Sequence, residues 1–186
     1  MTKLFSVLVI CVIVLAHQTV AQETKGKDLI TRVCQLAQKN SDLCVEVLSS
    51  DPKSANADDI NDLAIIALRV VARNASAMLN DVKSMIDDAN LDPEVQQGLA
   101  DCKENILDAE SQLEDTIAAL LVESDVDSQK WLKAALAAIT TCDNSIPGND
   151  DVLSVKSRIF RRLTNIVVLI TRALPKRTPS AQPVKV

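Results

Sequence analysis

Residues Asp92 to Cys142 read DPEVQQGLADCKENILDAESQLEDTIAALLVESDVDSQKWLKAALAAITTC. Asp92-Pro93 is a helix start, an N-cap acceptor followed by proline at the first helical position. From there Val95, Leu99, Cys102, Ile106, Ala109, Leu113, Ile117 and Leu120 recur at spacings of three and four, the apolar stripe of an amphipathic helix. A second stripe starts around Asp127 and carries Leu132, Ala135, Leu136 and Ile139 as far as Cys142. The turn between the two helices falls near Ser124. Cys102 lies about 20 residues before that turn and Cys142 about 18 after it. At ~1.5 Å per residue, both sit roughly 27–30 Å from it on adjacent antiparallel helices. The two cysteines can meet.

The same period extends in both directions. Upstream, a helix is expected from near Asp58 to Asn90, burying Ile60, Ala64, Ala67, Val71, Ala75, Met78, Val82 and Met85. Downstream, Asn144 to Asp150 with Pro147-Gly148 reads as a loop. A last helix follows from about Asp151 through Val155, Ile159, Leu163, Ile166 and Ile170, and ends before Pro175. Short connections between long amphipathic helices make neighbours antiparallel. The expected fold is therefore all-α, an up-down four-helix bundle over residues 58–174. Ahead of it, Asp28–Gln38 and Asp42–Ser49 form a helical hairpin over 28–49, clipped by Cys34–Cys44. Three glycines in 186 residues and 2% aromatics leave little from which to build a sheet. Trp131, the only tryptophan, is expected to pack within the bundle.

The first 21 residues read as a signal peptide, with Lys3 as the positive n-region, Leu4–Ala16 as the apolar stretch and Thr19-Val20-Ala21 before the cleavage point. Residues 22–174 then form one domain, and 175–186 read as a disordered tail. Removal of the leader takes away Cys11 and His17. Four cysteines and no histidine remain, and no tyrosine occurs anywhere. Four cysteines behind a secretory leader read as two disulfides. Three connectivities are formally open, and the helix geometry favours Cys34–Cys44 with Cys102–Cys142. Asn74-Ala75-Ser76 is a glycosylation sequon whose use depends on Asn74 facing outward.

Charge is segregated. Fourteen acids stand between Asp81 and Asp127 against only Lys83 and Lys103, whereas Val152 to Arg177 holds seven bases and no acid. Either the two runs help neighbouring helices associate, or the acidic helix faces a basic partner. Chemistry is scarce by comparison. Without histidine there is no Ser-His-Asp triad, Cys-His dyad or imidazole ligand, and no P-loop or G-x-G-x-x-G occurs. Carboxylate pairs such as Asp58-Asp59 and Asp87-Asp88 read as helix caps. The expectation is a binding protein, not an enzyme, with no cofactor, no metal, no nucleic acid and no membrane partner, and monomeric when free.

These residues resemble a known family, the plant invertase inhibitors and pectin methylesterase inhibitors, whose domain also precedes many pectin methylesterases as a pro-region. The resemblance rests on several stretches taken in order. They are Cys34 and Cys44; Ser50-Asp51-Pro52-Lys53-Ser54 leading to Asp58 and Leu63; Cys102-Lys103-Glu104-Asn105 with Asp108; Trp131-Leu132-Lys133-Ala134-Ala135-Leu136; and Thr141-Cys142. It spans the mature chain to about Leu174. It implies a protein secreted to the plant cell wall that blocks pectin methylesterase in a one-to-one complex, with acid invertase as the alternative target. A non-inhibitory helical structural or carrier protein is the remoter reading. Invertase inhibitors of this family are described as using a Pro-Lys-Phe element before the third bundle helix, where this chain has Asp125-Val126-Asp127. Ile106 stands where family members often carry tyrosine, and the long basic tail is a further departure. By resemblance the enzyme-facing surface includes Glu104, Asp108, Ser111 and Gln112 of the second bundle helix, with Thr140 and Thr141 close by.

Overall fold

The computed structural model describes residues 25–148 and 152–174, and every regular element among them is helical. α1 covers residues 25–35 and α2 Ser41–Ser50. They are followed by α3 Ile60–Ile86, α4 Pro93–Leu121, α5 Asp125–Ser145 and α6 Val152–Arg172. α3 to α6 form an up-down bundle in which α4 and α6 each pack against both α3 and α5. The expected signal peptide (1–21) and tail (175–186) lie outside the described residues.

The helix ends follow from local chemistry. Asp59 caps α3 by accepting from the Asp62 amide at 3.0 Å, and Asp62 in return accepts from the Asp58 amide at 2.9 Å. Asp92 accepts from the Glu94 amide at 2.8 Å with Pro93 behind it, as the sequence predicts. Each such cap contributes about 1 kcal/mol. α4 closes in a Schellman turn: the Ser124 amide reaches the Ala119 carbonyl at 2.8 Å and the Glu123 amide the Leu120 carbonyl at 3.2 Å, with Glu123 at φ 61°. Some boundaries move by a few residues. α3 stops at Ile86 rather than Asn90, and α5 runs from Asp125 through Ser145, so Asn144 is helical.

Both disulfides form, Cys34–Cys44 and Cys102–Cys142, with Cα atoms 5.4 and 4.0 Å apart. All four cysteines are fully buried. Gly98, one turn before Cys102, lets α4 and α5 approach closely, and the Ser145 hydroxyl donates to the Gly98 carbonyl at 2.9 Å.

α6 corrects the sequence reading. Val155 and Ile159, expected inward, are 50% and 39% exposed. Leu163, Ile166 and Ile170 are buried as expected, and the rest of the buried face runs through Leu153, Ser157, Phe160, Thr164, Val167 and Thr171. An apolarity scan misses part of this face because a third of its residues are hydroxylated. Inside the helix these hydroxyls are satisfied by backbone carbonyls, Thr164 on Phe160 at 2.9 Å and Thr171 on Val168 at 3.1 Å. They therefore bury as small side chains. Ile159→Gln should change stability by less than about 0.5 kcal/mol, as an exposed position does. A loss of several times that in urea unfolding would return Ile159 to the core. Trp131 also departs from expectation: it is half-buried, with the Lys130 ammonium 4.3 Å from its ring centroid.

Candidate functional site: the acidic face of the fourth helix

The inward face of α4 is fixed by Leu99, Cys102, Ile106, Ala109, Leu113 and Leu120, all buried. Opposite it stand Gln97, Asp101, Glu104, Asp108, Ser111 and Asp115, at alternating steps of four and three residues, so they form one ridge. All six are exposed. The predicted Glu104, Asp108 and Ser111 are its centre, and the same spacing extends it to Asp101 and Asp115, which the sequence reading left out. Leu107, 39% exposed, sits beside Glu104 and Ser111 at the same spacings and adds an apolar spot to the charged surface.

The charges on this ridge are poorly neutralised. Lys103 lies 3.0 Å from Glu104 on the same helix, and Gln97 donates to Asp101 at 2.9 Å. Among the described residues, Asp108 and Asp115 have no cation within reach. The basic run on α6 does not supply one. Lys156 pairs with Asp81 on α3 and Arg161 with Asp143 on α5. Neighbouring helices 8–10 Å apart place the diagonal pair about 11–14 Å apart, beyond the ~8 Å screening length. Opposite charge thus ties α6 to α3 and α5, while the acids of α4 face outward.

The other expected residues divide. Gln112 is half-buried on the flank of the ridge, and its Oε1 is buried without a hydrogen-bond partner. The Thr140 and Thr141 hydroxyls donate to the carbonyls of Leu136 at 2.9 Å and Ala137 at 3.1 Å, and both side chains are exposed. Thr141 lies four residues before Ser145, which meets α4, so it shares the α4 side of α5. Thr140 lies three before Asp143, which meets α6, and is turned away. Trp131 joins the α4 side by register. It is eleven residues from Cys142, and Gln112 ten from Cys102, so both lie about 15–17 Å from the bridge on adjoining helices. Asn74 is half-buried in α3, its Oδ1 is buried without a partner, and Ser76 of the same sequon donates to Glu110 on α4.

No three histidine, cysteine or carboxylate side chains among the described residues are placed to hold a metal ion, and no helix there is long and apolar enough to cross a membrane. The model of the plant invertase/pectin methylesterase inhibitor family matches residues 28–172. The chain belongs to that family.

Members of the family are inhibitor proteins rather than enzymes. A Platanus acerifolia relative bearing an invertase-inhibitor name is 26% identical, over 82% of this chain and 89% of its own length. The pectinesterase inhibitor of Actinidia deliciosa is 25% identical, over 94% of this chain and 95% of its own. A pectin methylesterase inhibitor from Arabidopsis, solved as a mutant form, superposes with a TM-score of 0.66 at 22% identity, covering 80% of this chain and 98% of that one. That superposition is a likeness of fold. The all-α bundle, both disulfides and membership of an inhibitor family, all expected from the sequence, agree with the helices, the two bridges and the family match.

Proposed function

We propose that this chain is a secreted inhibitor of pectin methylesterase that lays the outward face of α4 across the enzyme's substrate cleft in a one-to-one, non-covalent complex. The supporting observation is the ridge Asp101–Glu104–Asp108–Asp115, on which Lys103 pairs with Glu104 alone, while Lys156 and Arg161 of α6 are held by acids on α3 and α5. An exposed, single-sign ridge with an apolar spot is suited to steering and docking onto a basic surface. Two buried disulfides fit an oxidising compartment such as the cell wall.

Acid invertase is the second reading, favoured by the name of the Platanus relative. Against it stand Asp125 and Asp127 in the first turn of α5, next to Val126 at 81% exposed. Carboxylates at this tip would be repelled by the carboxylates of an invertase active site.

Asp108→Lys tests the proposed face. It should weaken inhibition of pectin methylesterase by about 1–3 kcal/mol, the size of effect expected for reversing a charge at an interface. Stability should move by less than about 0.5 kcal/mol, since Asp108 is exposed and unpaired. Wild-type inhibition by this variant would put the contact face elsewhere on the bundle.

A further inference from the structure

The side of the molecule away from α4 carries a second surface with its own logic. Arg158, Arg162, Asn165, Leu169 and Arg172 follow one another at steps of four and three, so they form one ridge along the outside of α6. At its C-terminal end the ridge meets the corner between α1 and α2 and encloses a groove of about 370 Å³. That volume lies within the ~300–1,000 Å³ of small-ligand sites. Gln38, Lys39 and Asn40 form one wall of the groove, and Asn165, Leu169 and Arg172 the other.

We propose that this groove binds a polyuronate, an acidic polysaccharide with free carboxylates. Lys39 and Arg172 have no carboxylate partner among the described residues, and no acid lines the groove. A guanidinium facing open solvent is matched to a carboxylate by shape as well as charge. Gln38, Asn40 and Asn165 supply side-chain amides, which both donate and accept, as sugar hydroxyls require. The aliphatic floor offers Leu169 and Leu36, the latter 45% exposed, to the C–H face of a sugar ring. No aromatic side chain lines the groove, so it lacks the stacking platform that single-stranded nucleic acid uses.

Two further features point the same way. Gln38 holds φ at 46°, a left-handed conformation that costs a non-glycine residue roughly 1–2 kcal/mol. Glycine would fit that turn better, so a glutamine there is consistent with use of its side chain. The ridge also continues beyond the groove to Arg162, whose Nε donates to Asn40 at 3.3 Å, and on to Arg158. Arg158 to Arg172 is about 21 Å of helix, long enough for several sugar units in a row. The chain's own residues 175–186 are an unsuitable occupant, because they hold Lys176, Arg177 and Lys185 and no acidic side chain. A second copy docking its α4 ridge here would make a head-to-tail contact, which builds rings or filaments and would show as self-association of the protein. The inference does not depend on which enzyme α4 engages, because α4 and α6 lie on the diagonal of the bundle.

The test is fluorescence anisotropy at low salt with the oxidised protein and a labelled uronate oligomer, its fully methyl-esterified form, and anionic phospholipid vesicles. The free-acid oligomer should bind saturably and the ester should not. Lys39→Glu with Arg172→Glu should weaken binding at least about tenfold, on the scale of lost charge-assisted contacts. Arg158→Glu, at the far end of the ridge, should weaken it several-fold. Gln38→Gly should lower affinity without lowering stability, a combination that a purely structural glutamine would not give. Unchanged binding by the double variant, equal binding of the ester, equal binding of the vesicles, or self-association of the protein in place of oligomer binding would each overturn the assignment.

Discussion

Replacing Cys102 and Cys142 together by alanine should lower the unfolding free energy by about 4 kcal/mol, against about 3 for the Cys34/Cys44 pair. The difference comes from loop length. The first bridge spans 40 residues and the second 10, and a longer closed loop removes more freedom from the unfolded chain. The long bridge also sits in the middle of the core, one turn from the fully buried Ile106 on α4 and Ile139 on α5. Urea unfolding of the two double-alanine variants measures both costs. Equal costs, or a larger loss from the short loop, would show that the unfolded chain is already restricted across α4 and α5.

Gly98→Ala should destabilise the protein by about 2 kcal/mol or more, although alanine is the better helix former by about 1 kcal/mol. A methyl group at Gly98 would lie 2.2 Å from the Ser145 carbonyl oxygen and 3.0 Å from the Ile146 Cα. Both are backbone atoms at the end of α5, so no side-chain rotation relieves the clash. Overpacking of this kind costs about 1–3 kcal/mol or more, and here it outweighs propensity. The two effects have opposite signs, so the direction of the change decides between them. A stabilised Gly98→Ala variant would mean that α4 and α5 do not approach so closely.

The features legible in the sequence are those set by local chemistry and strong period. Asp92-Pro93 marks the start of α4 correctly because a cap and a proline act on their own few residues. The Cys102–Cys142 pairing follows from counting residues to a shared turn, since helix rise is nearly constant. The face of α6 was legible only in part by the same means, through the buried Leu163, Ile166 and Ile170. Ser157, Thr164 and Thr171 are buried because their hydroxyls bond within their own helix, and a scan for apolar residues instead selects the exposed Val155 and Ile159. Trp131 misleads for a related reason: its size suggests a core position, yet it sits half-buried beneath Lys130.

The site shows the same division. Glu104, Asp108 and Ser111 share a ridge because their spacing on one helix fixes it. Thr140 and Thr141 are adjacent in sequence, but one belongs to the α6 side and the other to the α4 side. That difference follows from Arg161–Asp143 and Ser145–Gly98, contacts between helices that no local pattern announces. Segregated charge had two readings in the sequence. In the fold two bases of α6, Lys156 and Arg161, pair with single acids on α3 and α5, and the long acidic run of α4 keeps its charge for the outside.

The most direct test of the account is to titrate the recombinant, oxidised protein against purified pectin methylesterase and purified acid invertase in parallel. The account predicts stoichiometric one-to-one loss of esterase activity, weakened by added salt, with invertase untouched. Loss of invertase activity with the esterase unaffected would contradict it.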